Sequence, residues 1–318
     1  MDLETDRSGD VYIQTVALMG TVVTIQVVGH GAHHQQRKER TEAVERAFGW
    51  FRHVEESCSR FDSRSELMRL TAWIGFPVQV SALLYECVQF ALAVAEESGG
   101  AFDPTVGYRM ETRGFNRHDR TGQIVRTVLE PDAALGSSYR DVRLDPDRKT
   151  IALVRPLILD LGAVAKGLAI DMAARELRPF GHYAIDAGGD LYLAGCNPGG
   201  APWSVGIRHP RDAHQLIESL RVSNRAVCTS GDYERPSPGD GGHHIMDPRT
   251  GVSSDGVASV TVVAPTAMLA DALGTAAFVL GPAEGIRFLE RQGVEGLIVS
   301  PTLERSSTRG MGRDCSPR

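Results

Sequence analysis

The sequence of 318 residues lacks the features of secreted, membrane-spanning and disulfide-bonded proteins. Its most apolar stretch, from Ala264 to Leu280, is broken by Pro265 and three polar residues, so it falls short of the about 18 apolar residues that a membrane helix needs. The first residues are acidic where a secretory signal is basic and then apolar. The five cysteines are scattered and form no CxxC pair, which favours free thiols in a reducing compartment. We therefore expect a cytoplasmic protein without a membrane anchor.

The chain also has fewer basic than acidic residues. The chain has 34 Lys and Arg against 40 Asp and Glu, a formal net charge of -6. Binding to duplex nucleic acid depends on clustered Lys and Arg that neutralise phosphates, so we expect no nucleic-acid partner. The GxGxxG and GxxxxGK[ST] loops that hold nucleotide phosphates are absent as well. Any nucleotide would have to bind in another way.

What is present is typical of a folded globular chain. Hydrophobic residues make up 42% and charged residues 23% of the sequence, close to globular averages. Residues 1–10 are polar, and residues 304–318 are rich in Ser, Arg and Gly without apolar periodicity. We predict a single domain over 11–303 between a disordered N-terminal tail and a disordered C-terminal tail.

Hydrophobic patterning predicts strands and helices without strict alternation. Runs rich in Val, Ile and Leu predict strands at 21–28, 150–154, 183–185, 191–194, 203–207 and 258–263. Apolar spacing of three and four predicts helices at 42–56, 81–97, 166–177, 267–279 and 282–291. Because the 183–207 region contains only strands and turns, an α+β fold is the better prediction than a doubly wound sheet.

The first candidate site is the segment DLGAVAKG at 160–167. An apolar strand ends in Asp160, and a helix is predicted to begin near Lys166. Helix N-terminal amides beside a lysine can bind a phosphate, while the Asp160 carboxylate can accept from ring N–H or hydroxyl donors. The alternative is an Asp that caps the helix and a Lys exposed to solvent.

The second candidate is the pair Asp271 and Thr275, which lie four residues apart on one face of a predicted helix. A carboxylate and a hydroxyl at this spacing can bind one hard cation such as Mg²⁺. The alternative is a Thr that bonds back to the preceding turn and an Asp that pairs with a base.

The third candidate is the histidine pair in GGHHIMDPRTG at 241–251. Histidine is the commonest general base, but adjacent strand residues point to opposite faces, so only one of the two can serve a site. The alternative is a surface pair. Three further segments, SRFDSRSE at 59–66, GGAFDPTVG at 99–107 and CTSGDYE at 228–234, either hold a polar heterocycle or are ordinary loops. Cys228 fits core packing better than a nucleophile.

Eight ordered segments together resemble the FAD:protein FMN transferase family, also called ApbE or flavin transferases. They are MGT at 19–21, SRFDSRSEL at 59–67, GGAFDPTVG at 99–107, DLGAVAKG at 160–167, DAGGDLYLAG at 186–195, TSGDYER at 229–235, HIMDPRTG at 244–251, and SVTVVAP with ADALGTA within 259–276. The resemblance implies a compact two-lobed domain of mixed sheets flanked by helices, with FAD in the cleft. It also implies Mg²⁺-dependent cleavage of FAD, transfer of FMN to a Ser or Thr hydroxyl of a target flavoprotein, and release of AMP.

The same resemblance implies a role for individual residues. Asp271 and Thr275 would bind Mg²⁺ through their side chains and Ala163 through its backbone carbonyl, and His244 would be the general base. The residues expected to contact FAD are Met19, Phe61, Ala101, Phe102, Asp103, Asp160, Lys166, Thr229, Ser230, Gly231 and Ile245. The chain departs from the family pattern at Arg113, where many members have Trp, and at Met268, where some members have an acidic residue.

Two other functions remain compatible with these residues. An FAD pyrophosphatase would share the metal and FAD contacts but use water in place of the acceptor hydroxyl. A flavin carrier would bind FAD without cleaving it, although the presence of Asp271, Thr275 and His244 argues against this role.

Overall fold

The structure is a computed structural model that describes residues 11–31, 33–117, 122–127, 136–236 and 242–312. Its strands are β1 (Val11–Leu18), β2 (Thr21–Val28), β3 (Val78–Gln79), β4 (Val142–Asp145), β5 (Thr150–Leu153), β6 (Tyr183–Ala187), β7 (Asp190–Ala194), β8 (Trp203–His209), β9 (Asp212–Val222), β10 (Arg225–Gly231), β11 (Ser259–Ala264), β12 (Glu295–Val299) and β13 (Arg305–Ser307). Its helices are α1 (His34–Cys58), α2 (Glu66–Arg69), α3 (Ala82–Glu97), α4 (Gly107–Thr112), α5 (Gly162–Leu177) and α6 (Ala267–Arg291).

Within the described residues the strands form three sheets. The largest is antiparallel throughout and has the order β1-β2-β6-β7-β10-β11-β12-β13, while β3-β5-β4 and β8-β9 form two smaller sheets. Neighbouring strands of the large sheet are joined by short turns, by the β8–β9 pair, by segments that contain helices or, between β10 and β11, by the long segment 232–258. The predicted α+β class is confirmed.

The main core lies between the large sheet and the helices. In β2 every second residue is fully buried in this core, as expected for a strand with one face in the core. These residues are Val23, Ile25 and Val27. Phe48 and Phe51 lie on the apolar stripe of α1, which packs on α5. The helix predicted over 42–56 is thus present, although it begins earlier in the chain.

A kink divides α6 where two helices were predicted. Gly281 has φ 80° and ψ 174°, values outside the helical region, and Pro282 follows it. Glycine tolerates a positive φ, and proline has no backbone N–H to continue the hydrogen-bond ladder, so this pair interrupts the helix. The predicted stop before Gly281 is confirmed.

Two predicted boundaries are wrong. Helix α5 begins at Gly162 rather than near Lys166: its N-cap is Leu161, which makes no side-chain cap hydrogen bond, and the Gly162 N–H donates to the Asp160 carboxylate at 2.8 Å. The predicted disordered tail from 304 is wrong for its first residues, because β13 pairs with β12 and the buried Thr308 exchanges hydrogen bonds with Gly296. The predicted tail at 1–10 and residues 313–318 lie outside the described residues. Across the described ranges, no helix combines the length and apolarity needed to cross a membrane.

Candidate active site

A cavity of about 590 Å³ opens between the large sheet, α5 and α6. It draws residues from the β1–β2 turn, the segment after α1, the start of α5, the end of β10 and the segment 244–248. Its size suits a small-molecule ligand. Every predicted site residue lines it: Met19, Phe61, Ala101, Phe102, Asp103, Asp160, Ala163, Lys166, Thr229, Ser230, Gly231, His244, Ile245, Asp271 and Thr275.

Close packing of α5 against the start of α6 brings two of the predicted segments together. A Cβ atom at Gly167 would lie 2.4 Å from the Met268 Cα and 2.6 Å from the Ala267 carbonyl carbon. Only glycine permits this approach. Asp171 of α5 fixes the contact, because its carboxylate accepts the N–H groups of Ala267 and Met268 at 2.7 and 3.0 Å. Burial raises the pKa of Asp171 to about 6, although these two hydrogen bonds act to lower it.

The packing places Lys166 between two buried carboxylates. Its ammonium is ion-paired with Asp190 and lies 3.3 Å from Asp271 Oδ2, and the Thr229 N–H donates to Asp190 Oδ1 at 3.3 Å. Lys166 therefore faces carboxylates in this structure, where the sequence predicted an anion-binding or exposed lysine. Two carboxylates and one ammonium leave an excess of one negative charge.

The oxygen donors near this cluster suit a hard cation. The Asp271 carboxylate, the Thr275 hydroxyl and the Ala163 carbonyl belong to residues that line the same cavity. The described ranges contain no group of three or more His, Cys, Asp or Glu residues that could hold a metal ion. A cation bound here would thus take a mixed set of oxygens completed by water or ligand oxygens, as Mg²⁺ does.

Asp160 forms a second ion pair at the cavity wall. The Arg60 Nε donates to Asp160 Oδ2 at 2.5 Å, and the Gly162 N–H donates to Oδ1 at 2.8 Å. Burial alone would raise the pKa of Asp160, but Arg60 and the Gly162 amide together hold it below its usual value. The alternative of an Asp160 N-cap with an exposed Lys166 is wrong, because the N-cap is Leu161 without a side-chain cap and Asp160 lines the cavity.

The two histidines point in different directions. His243 is buried, donates from Nε2 to the Ser254 carbonyl at 2.7 Å and accepts the Ile245 N–H at Nδ1 at 3.2 Å. His244 lines the cavity, and its Nδ1 is buried without a hydrogen-bond partner among the described residues. Burial, with contributions from Arg235 and His243, lowers the pKa of His244 to about 4. His244 is therefore neutral at pH 7, and a surface pair is excluded.

Asp103 and Met19 shape the cavity through the backbone. Asp103 accepts the Thr105 N–H and hydroxyl at Oδ1 and the Tyr139 N–H at Oδ2, so both oxygens already hold the surrounding loop. Burial raises the pKa of Asp103 despite these bonds. Met19 has φ 50° in the β1–β2 turn, a left-handed conformation that non-glycine residues adopt at a cost of about 1–3 kcal/mol. Such strain often marks a functional position.

Some residues of the cavity were not selected from the sequence. Asp190, Arg60, Phe115 and Arg235 all line it. Asp190 belongs to the DAGGDLYLAG segment and Arg60 to the SRFDSRSEL segment, so both lay within noted motifs. Nothing in the sequence alone indicated that Asp190 pairs with Lys166, because this contact depends on how α5 packs against β7.

Comparison with known proteins identifies the family. Residues 19–298 match the model of the ApbE family. The chain belongs to the ApbE family. An FAD:protein FMN transferase of Treponema pallidum is 32% identical over 330 residues, covering 94% of this chain and 87% of that protein. An FAD:protein FMN transferase of Haemophilus influenzae is 27% identical over 299 residues, covering 89% and 85%.

Solved ApbE structures share the fold. The ApbE protein of Thermotoga maritima superposes with a TM-score of 0.83 at 30% identity, covering 96% of this chain and 100% of that one. The flavin transferase ApbE of Vibrio cholerae gives a TM-score of 0.80 at 26% identity, covering 95% and 98%. Of the two departures from the ApbE pattern, Arg113 donates to the Ser253 hydroxyl at 2.9 Å, and Met268 contributes its backbone N–H to Asp171.

Proposed function

We propose that this chain is an Mg²⁺-dependent FAD:protein FMN transferase that attaches FMN to a Ser or Thr hydroxyl of a target flavoprotein and releases AMP. The observation that carries the proposal is His244, whose buried Nδ1 has no hydrogen-bond partner among the described residues, in the same cavity as the oxygen set around Asp271. The names of the relatives and the membership of the ApbE family support the flavin chemistry.

In the proposed reaction His244 accepts the proton of the acceptor hydroxyl. The hydroxyl oxygen forms a bond to the FMN phosphorus, and the bond between that phosphorus and the oxygen shared with AMP breaks. The low pKa of His244 keeps the ring unprotonated, so its nitrogen can accept a proton as a general base requires.

Asp271, Thr275 and the Ala163 carbonyl would hold Mg²⁺, and the excess negative charge beside Lys166 supports cation binding at this place. The metal would supply charge neutralisation at the pyrophosphate. The remaining predicted residues, among them Phe61, Phe102, Asp160 and Ile245, would contact FAD. We retain the prediction of a cytoplasmic location, which rests on the scattered cysteines.

The test combines the purified protein with FAD, Mg²⁺ and candidate acceptor proteins. Mass spectrometry reports an FMN adduct on Ser or Thr, and chromatography reports AMP. We expect the adduct with the wild type and with His214→Ala, a variant of an exposed histidine on β9 outside the cavity. We expect no adduct with His244→Ala.

Other outcomes would point to the other two functions. Free FMN and AMP without an adduct would support an FAD pyrophosphatase, and bound FAD without AMP would support a carrier. The metal assignment is tested separately by calorimetric titration with Mg²⁺, in which Asp271→Asn should lose the binding seen with the wild type.

A further inference from the structure

A buried arginine that no predicted role uses ties three walls of the cavity together. Arg60 directly follows the end of α1, and only 4% of its surface is exposed. Its Nε donates to Asp160 Oδ2 at 2.5 Å, and its Nη2 donates to the Phe115 carbonyl at 2.6 Å. Its guanidinium carbon lies 4.1 Å from the centre of the Phe61 ring. Phe61, Phe115 and Asp160 all line the cavity.

The geometry leaves Asp160 with free acceptor capacity that faces the cavity. Each carboxylate oxygen has two lone pairs, and the protein uses one on each oxygen through Arg60 and Gly162. About 20% of the Asp160 side chain remains exposed. An ionised carboxylate accepts hydrogen bonds and cannot donate, so it selects a ligand group that carries N–H or O–H.

We propose that Arg60 is a positioning residue that holds Asp160 as an ionised, acceptor-only carboxylate aimed at a donor group of the bound flavin nucleotide. The inference rests on the proposed function, since it takes FAD as the ligand. Flavin rings, ribityl chains and adenine all carry such donors. Without Arg60, the buried carboxyl group would bind a proton more readily and would present an O–H to the ligand.

Three charged or titratable groups act on Asp160. Arg60 reaches it from the segment after α1, and Arg235 contributes a further positive charge from the segment after β10. His244 interacts with it across the cavity and is neutral above about pH 4. The pKa of His244 lies below the range of pH 6 to 8, so a pH dependence of binding that appears only when Arg60 is removed would report on Asp160.

The test measures FAD affinity by quenching of flavin fluorescence, in EDTA so that no metal-dependent turnover occurs. The variants are Arg60→Met, Arg60→Lys, Asp160→Asn and the double variant Arg60→Met with Asp160→Asn. Arg64→Met is the matched control, because Arg64 lies in the same segment but is 88% exposed and outside the cavity. Urea unfolding establishes that each variant is folded.

We expect Arg60→Met to weaken FAD binding at least about tenfold at pH 8 and to weaken it further as the pH falls to 6. The wild type and Arg64→Met should bind equally at both values. Arg60→Lys should keep the flat pH profile, because the charge remains, and should recover part of the affinity. In the Asp160→Asn background, Arg60→Met should change affinity less than about twofold, since coupled residues give non-additive effects.

If removing Arg60 weakens FAD binding equally in the wild-type and Asp160→Asn backgrounds, the role of Arg60 is purely structural and the inference is overturned. Unchanged FAD affinity of Arg60→Met would also overturn it. If Arg60→Met does not fold, the inference is tested on the pH profile of FAD binding by Arg60→Lys, and a loss of FAD affinity of Arg60→Lys toward pH 6 would overturn it. A wild type that binds no FAD would instead refute the proposed function. The two failures are therefore distinguishable.

Discussion

The contact between α5 and the start of α6 is tight enough that one methyl group should weaken the fold. A Cβ atom at Gly167 would lie 2.4 Å from the Met268 Cα, 2.5 Å from its nitrogen and 2.6 Å from the Ala267 carbonyl carbon. These are backbone atoms, which cannot move aside as a flexible side chain can. Gly167→Ala must therefore separate the two helices.

The magnitude follows from two opposing contributions. Replacing glycine by alanine within a helix stabilises by up to about 1 kcal/mol, whereas overpacking a well-packed contact costs about 1–3 kcal/mol. We expect Gly167→Ala to lower the free energy of unfolding by about 1–2 kcal/mol. Gly49 provides the matched control, because it lies inside α1 with no atom within 4 Å of its added Cβ. Gly49→Ala should raise the free energy of unfolding by up to about 1 kcal/mol.

Urea unfolding followed by circular dichroism measures both variants. The separation of the helices should also move Lys166 relative to Asp271, so titration calorimetry should find weaker Mg²⁺ binding in Gly167→Ala and unchanged binding in Gly49→Ala. Gly167→Ala with the stability of Gly49→Ala would refute the packing argument.

Three further changes test the charges and thiols of the site. The pKa of His244 is about 4 in the folded chain against 6.5 for the free side chain. The neutral ring therefore stabilises the fold above about pH 6.5, and as the pH falls through 4 the free energy of unfolding decreases by about 3 kcal/mol. Urea unfolding of His244→Gln should not show this decrease. Cys228 is buried outside the cavity, so Cys228→Ala should keep AMP release in the FAD assay, and abolished release would restore the nucleophile interpretation. Asp190→Asn removes one carboxylate beside Lys166, so calorimetry should show weaker Mg²⁺ binding, while unchanged Mg²⁺ affinity would contradict the charge argument.

Local sequence signals predicted several elements that are buried on one or both faces. The helix predicted over 81–97 is present as α3, and the Ser81 hydroxyl accepts the Leu84 N–H at its start. From Val23 onward β2 alternates buried and half-buried residues, and β11 is buried along its whole length. Strand β9 was missed for the opposite reason. It is mostly exposed, with the pattern of a strand that packs only at Ile217, Leu220 and Val222, so it carries little hydrophobic periodicity.

The site shows the same division between local and long-range information. The residues that line the cavity were proposed from segments that stand out in the sequence, such as 160–167 and 241–251, and from the resemblance of eight ordered segments to the ApbE family. Their partners were not found, since Lys166–Asp190 and Arg60–Asp160 join segments that are distant in sequence. Helix α5 began earlier than predicted for a related reason: Gly162 and Gly167 lower helix propensity, while the long-range contact with α6 stabilises the helix.

The two ion pairs of the cavity differ in charge balance, and this difference can orient the ligand. Arg60 balances the charge of Asp160, so the ionised carboxylate suits an uncharged N–H or O–H donor. Lys166 faces both Asp190 and Asp271 and leaves one negative charge unbalanced, which suits a divalent cation and the phosphates that accompany it. Asp160 and Lys166 belong to one segment, before and within the first turns of α5. Under the proposed function, a single helix start would thus separate the acceptor for a neutral donor of FAD from the carboxylates that would hold the divalent cation.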